Sequence, residues 1–210
     1  MGDSPQDLRV VLATHNRAKL AELRRVVAET GSPVEVLGLA DFPARPEPAE
    51  TGTTFTENAL IKARDAVAHT GLPALADDSG LEVDALNRMP GIRSARWSGP
   101  GASDEANLRL LLAQTADLPE DRREARFVCA MAFVTPQGWQ RTVRATMEGR
   151  VITEARGDNG FGYDPMFVPD AQPGRLTSAE LSPADKDAIS HRGQAVRAIV
   201  PIVTAHLAGH

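Results

Sequence analysis

In the stretch ALADDSGLEVDAL, two adjacent carboxylates, Asp77 and Asp78, follow a short apolar run and precede Ser79-Gly80. A carboxylate at a strand end can act as a general base or hold a hard cation. Asp, Ser and Gly are also ordinary turn residues, which offers a purely structural reading. Strand alternation sends neighbouring side chains to opposite sides. At most one of the two acids is therefore the candidate for chemistry, unless a turn begins between them, and the other ties down a neighbouring loop or helix or backs the active acid.

A second group surrounds LATHNRAKL. A strand ending at Thr14 with a helix starting just beyond places Thr14, Asn16 and the first-turn backbone N–H groups where an anion would sit. Lys19, about one turn on, can add a point charge. The plain alternative is a helix start capped by Asn16. A Walker A loop is excluded, because its glycines and G-K-[ST] ending are missing. Downstream, in ETGTTFTENALIKAR, Glu50 has no such local structural task as Glu57 and is the better candidate to bind a cation. Glu57 has one, in a capping box with Thr54. Lys62 follows Glu57 by five residues, so it lacks the usual i, i+4 surface pair and by itself reads as a solvated helix residue.

The third group is GFGYDP with KDAISHRGQ. Gly160 and Gly162 allow close backbone approach, and Phe161 and Tyr163 offer faces that could stack a flat ring. Asp164 would orient hydrogen-bond donors or simply form an Asp-Pro turn. Lys186 and Ser190 share a helix face at i, i+4, with His191 and Arg192 beside them. A solvated charged face is the competing reading.

These residues need a scaffold. RVVLAT reads as a buried strand and HNRAKLAELRRVVAETG as a helix burying Leu20, Leu23, Val26 and Val27, with Gly31 as its stop. VEVLGL reads as a second strand, and the Pro- and Gly-punctuated DFPARPEPAETGTT as a long loop, functional or mobile. TFTENALIKARDAVAHTG is a helix capped at Thr54 and closed at Gly71. PALADD and LEVDAL read as two short extended pieces, PGIRSARWSGPGAS as irregular, and SDEANLRLLLAQTA as a helix capped by Ser103.

ARFVCAMAFVTPQG reads as a central strand, WQRTVRATMEGRVI as one with a wet face, and FGYDPMFVP as a short strand. From Ser182 the pattern is helical to the C-terminus, with Pro183 at its first position and Pro201 expected to kink or break it. The chain is therefore α/β, with a mixed central sheet flanked by helices.

At 210 residues the chain has room for one domain with a proper core. A formal net charge of -5 and the lack of a basic stripe argue against a DNA or RNA binder. The lone Cys129 excludes an internal disulfide and reads as core filler. No apolar run approaches a membrane span, and the polar leader lacks signal-peptide features, so a cytoplasmic protein is expected.

Taken in order, T-x-N-x-x-K (Thr14, Asn16, Lys19), TFTENALIKA, ADDSGLEVDAL, PGIRSARWSG, GFGYDP and AISHRGQA closely resemble the ITPase-like family, from Val10 to about Val196. The resemblance implies one catalytic domain, residues 1–210, of two lobes with a cleft between them. It also implies Mg²⁺-dependent hydrolysis of the deaminated purine nucleotides ITP, dITP and XTP to monophosphate and pyrophosphate, and a homodimer. Asp78 is implied as general base and metal ligand, Asp77 as a supporting acid and Lys62 as a catalytic cation. Thr14, His15, Asn16, Arg17, Ala18 and Lys19 are implied to hold the triphosphate, and Ser79 to contact substrate.

Phe161, Gly162, Tyr163, Asp164, Lys186, His191 and Arg192 are implied to surround the base. The second metal ligand maps to Glu50, with Glu47 as the alternative, because family members can carry two glutamates before T-G where this chain has Ala49-Glu50. His15 replaces a frequent glycine and makes the phosphate loop bulkier. Donors facing position 6 of the ring would favour hypoxanthine and xanthine over adenine by roughly 1–3 kcal/mol per unpaired group. The alternatives are a pyrophosphatase for other modified nucleotides and a nucleotide-binding protein without turnover.

Overall fold

The computed structural model describes residues 8–172 and 174–209, so the polar leader lies outside the described residues, as does the side chain of Ala18. Among these residues seven strands, β1 (Arg9–Leu12), β2 (Glu35–Gly38), β3 (Ala74–Val83), β4 (Met89–Pro90), β5 (Glu124–Val134), β6 (Gln140–Val151) and β7 (Phe167–Pro169), form one sheet. Its order is β2-β1-β3-β5-β6-β7, with β4 paired to β3 off this path. β1 runs parallel to β2 and β3, whereas β3–β4 and β6–β7 are antiparallel. The sheet is mixed, and β5 takes the interior position expected of its near-continuous apolar run.

Among the described residues five α-helices accompany the sheet: α1 (Arg17–Glu29), α2 (Phe55–Thr70), α3 (Asp104–Gln114), α4 (Pro183–Ile189) and α5 (His191–Leu207). α2 starts where Thr54 Oγ1 accepts the Glu57 N–H at 3.1 Å and stops at Gly71, whose φ of 70° suits the left-handed cap. Ser103 and Ser182 cap α3 and α4 in the same way. Among the described residues no helix is long and apolar enough to cross a membrane.

The chain divides into two compact units. The first comprises the chain up to Asp78, Ala130–Arg144 and the chain from Gly193; Val11, Ala66 and Ala74 pack there with Leu37, Phe42 and Val67. The second comprises Ser79–Cys129 and Ala145–Arg192, around Leu81, Leu111, Phe127, Met147, Tyr163 and Phe167. Cys129 is a buried thiol outside any disulfide, as core filler should be.

Four expectations need correction. PALADD and LEVDAL are one ten-residue strand, so the acids sit in mid-strand and not at a turn. Ladder pairing overrides the turn preference of D-D-S-G, because β3 bonds β1 near its start and β4 near its end. PGIRSAR is a 3₁₀ helix over Gly91–Arg96. In FGYDPMFVP only Phe167–Pro169 is strand, preceded by a 3₁₀ turn at Asp164–Met166.

The C-terminal helix breaks at Ser190 and not at Pro201. Ser190 adopts an extended ψ of 148° and caps α4 by donating its N–H to Lys186 O. α5 runs through Pro201 to Leu207, its buried stripe of Ala195, Val196, Ile199, Val200 and Val203 outweighing one missing hydrogen bond.

Candidate active site

Helix spacing explains how Asp78 is held. Asn58 and Lys62 stand at i, i+4 on α2, along the face that buries Phe55, Ala59, Ala63 and Ala66. Asn58 Nδ2 donates to Asp78 Oδ2 at 3.2 Å, and Lys62 Nζ donates to Asp78 Oδ1 at 2.8 Å. The same ammonium lies 2.9 Å from Glu50 Oε1. Two carboxylates from distant parts of the sequence thus converge on one cation. Glu50 is the loop acid brought to Asp78, whereas Glu47 is exposed.

Burial pushes the Asp78 carboxyl above the usual carboxylate range; Lys62 and the Asn58 amide pull it down without cancelling that effect, and Glu50 adds to it. Lys62 meets the opposite balance. Burial disfavours its charge, but Asp78, Asp77 and Glu50 together outweigh this and hold its pKa above the ordinary lysine value.

Asp77 points elsewhere, as alternation requires. Its Oδ2 accepts from Lys19 Nζ at 3.0 Å, and it is 5% exposed. Asp77 thus has a partner in the first turn of α1, and Lys19 is engaged by a carboxylate. The cap reading of the T-x-N-x-x-K loop holds: Asn16 Oδ1 accepts the Lys19 N–H at 3.2 Å, and Thr14 Oγ1 accepts that of Asn16 at 3.1 Å. His15 and Arg17 are exposed. Glu57 also keeps a structural role, accepting from Thr53 N at 2.6 Å and Thr53 Oγ1 at 2.8 Å. Those bonds hold its carboxyl below the usual range.

In the second unit the loop from Asn159 to Asp164 folds over one carboxylate. Asp164 Oδ2 accepts the Phe161 N–H at 2.8 Å and Lys186 Nζ at 2.5 Å. Gly160 has φ of 80°, and a Cβ there would meet Asp164 Oδ2 at 2.2 Å, so only glycine fits. The Phe161 ring has Lys186 Nζ 5.1 Å and Arg192 Cζ 5.5 Å from its centroid, both within cation–π range. His191 stacks on Phe127 with centroids 4.9 Å apart. Lys186 belongs to α4, and His191 and Arg192 open α5, so Ser190 divides the two groups.

Tyr163 departs from the expected ring-stacking role. It is buried in the core, and its hydroxyl donates to Ser94 O at 2.8 Å. Burial, with Asp104 nearby, pushes its phenol well above the ordinary tyrosine value. Ser79 lies in β3, partly buried.

Sequence reasoning missed three contributors. Asn58 binds Asp78, Asp104 Oδ2 accepts the Gly162 N–H at 3.0 Å, and Ser94 receives the Tyr163 hydroxyl. Asn58 did carry a signal, since a polar amide inside an apolar helix stripe asks for a buried partner. The carbonyl of Ser94 had none.

The model of the Ham1 family matches residues 10–202. A curated dITP/XTP pyrophosphatase from Cutibacterium acnes is 71% identical over 201 residues, covering 96% of this chain and 98% of that protein. One from Nocardia farcinica is 54% identical over 198 residues, covering 94% and 95%. Among solved structures, a nucleoside-triphosphatase / dITP/XTP pyrophosphatase from Mycobacterium abscessus superposes with a TM-score of 0.74 at 53% identity, covering 92% of this chain and 99% of that one. A HAM1 protein from Coxiella burnetii gives 0.83 at 40% identity, covering 93% and 98%.

Proposed function

The chain belongs to the Ham1 family, and on that premise we propose that it hydrolyses ITP, dITP and XTP to the monophosphate and pyrophosphate as one catalytic domain. The observation that carries the reading is the convergence of Glu50 and Asp78 on Lys62 Nζ, at 2.9 and 2.8 Å.

Asp78 is the general base. It takes the proton of the water that attacks the α-phosphorus, the bond to the bridging oxygen breaks, and pyrophosphate leaves. Burial, which raises the Asp78 pKa, makes its carboxylate a better proton acceptor than that of an exposed aspartate. Lys62 stabilises charge at the phosphates. The loop of Thr14, His15, Asn16, Arg17 and Ala18 with Lys19 holds the triphosphate, aided by the α1 N-terminus. Asp77 sets the position of Lys19.

Glu50 and Asp78 are the residues that would hold Mg²⁺. Their hard oxygens already face one positive charge, and two carboxylates with substrate phosphates and water suit this ion. Bound there, Mg²⁺ would neutralise phosphate charge. In the second unit, Phe161 supplies a face for a purine ring, while Gly162, Asp164, Lys186, His191 and Arg192 supply or orient polar groups for its edge. Tyr163 supports that loop from the core, and Ser79 contacts substrate beside Asp78. The family resemblance also supports a homodimer, and the sequence pattern a cytoplasmic location.

Incubation with ITP, dITP, XTP, ATP and GTP plus Mg²⁺, with separation of monophosphate from diphosphate, tests substrate and bond. Asp78→Asn tests the base: nucleotide binding persists and turnover is lost. Hydrolysis at the wild-type rate by that variant would overturn the assignment.

A further inference from the structure

Asn58 is fully buried, yet both ends of its amide are satisfied by groups that belong to the proposed chemistry. Its Oδ1 accepts the Gly52 N–H at 2.9 Å, two residues after Glu50. Its Nδ2 donates to Asp78 Oδ2 at 3.2 Å. The partners settle the amide's orientation, because a backbone N–H needs the oxygen and an ionised carboxylate needs the NH₂. Gly52 is part of this arrangement: a Cβ there would come within 2.6 Å of Asn58 Oδ1 and 2.7 Å of Glu57 Cβ. The loop therefore meets α2 at a glycine, where its backbone can approach the amide.

We infer that Asn58 is a positioning residue for the hydrolysis, clamping the Glu50 segment and the Asp78 carboxylate to one point on α2 so that both acids address the same cation. The inference rests on the reading of Asp78 given above. Lys62, four residues on, takes Oδ1 while Asn58 takes Oδ2, so one helix face fixes the plane of the carboxylate. Glu57 secures the adjacent Thr53, which leaves the Glu50 segment anchored at two successive residues, Gly52 and Thr53. A residue that orients a ligand carboxylate in this way typically changes metal affinity or activity by about 10–100-fold when removed.

Three variants test this on the intact protein. Asn58→Asp keeps the size of the side chain and an acceptor for Gly52 N–H, but it cannot donate to an ionised Asp78. ITP turnover should fall about 10–100-fold in kcat, with KM within about twofold of wild type. Asn58→Ala removes both contacts. It should show the same kcat loss and, without nucleotide, about tenfold weaker Mn²⁺ binding by electron paramagnetic resonance. Should Asn58→Ala fail to fold, the near-isosteric Asn58→Asp still decides the matter. Wild-type kcat in Asn58→Asp, a loss carried wholly by KM, or unchanged Mn²⁺ affinity in folded Asn58→Ala would each overturn the inference. Asp78→Asn, assayed alongside, separates the two failures: if it is inactive while Asn58→Asp is normal, only the role of Asn58 falls. If Asp78→Asn turns over normally, the base assignment falls and this inference with it.

Discussion

Lys62 Nζ lies 2.8 Å from Asp78 Oδ1, a contact made across sixteen residues of sequence by a helix and a strand. The ammonium also serves Glu50, so one lysine is the shared counter-charge of two acids that repel each other in a partly buried place.

Removing that charge should have two separable effects. Lys62→Met should reduce kcat by about 10²–10³-fold, the scale of losing one stabilising group at a developing negative charge. It should also lower stability by about 1–3 kcal/mol, because Asp78 and Glu50 lose their shared counter-charge. Mg²⁺ should then raise the melting temperature of the variant more than that of wild type. Calorimetry with and without Mg²⁺ checks this.

Lys186 offers a test of base selection. Its ammonium is held by Asp164 beside the Phe161 ring. Lys186→Met keeps the apolar stem and removes the donor, so kcat/KM for ITP should fall about tenfold while that for ATP changes less. Equal losses on the two substrates would count against a base-reading role.

Phe161 and Tyr163 should behave differently although both are aromatic. Phe161→Ala should raise KM for ITP about tenfold, within the range for a lost base stack. Tyr163→Phe removes only the bond to Ser94 O. It should cost about 1 kcal/mol of stability and leave KM for ITP within about twofold. Steady-state kinetics and thermal melts of both variants check the pair.

Arg126 predicts a pH effect on stability away from the site. Its guanidinium donates to both Asp84 oxygens, at 2.8 and 2.7 Å, and to Glu148 at 2.8 Å. The bonds from Arg126 hold the Asp84 carboxyl below its usual pKa. A depressed folded-state pKa stabilises the fold above the unfolded value, about 3.9, and that gain is lost as pH falls through the folded value. Asp84→Asn should therefore cost about 0.5–1 kcal/mol at pH 7, limited by solvent screening. The difference from wild type should shrink as pH falls below the unfolded value and on through the lower folded-state pKa. Thermal melts across pH check the sign.

Much of the scaffold was legible because local rules and tertiary packing agree in it. The Thr54 cap, the Gly71 stop, the apolar run of β5 and the Ser182-Pro183 start all appear where pattern and capping chemistry put them. Legibility failed where packing overruled a local preference. D-D-S-G stays extended inside β3, Pro201 stays helical in α5, and the chain breaks instead at Ser190, which carries no breaker signal.

The site divides along the same line. The family resemblance carried by residue types and their order singled out Asp78, Glu50, Lys19, Lys62 and the F-G-Y-D loop as candidates, while alternation alone predicted that Asp77 and Asp78 point to different sides. Which group answers each acid was decided only in three dimensions: Lys19 for Asp77, Lys62 and Asn58 for Asp78, Lys186 for Asp164. Spacing along one helix or strand is written in its covalent geometry. A contact between elements depends on how their buried faces pack, which no single segment contains.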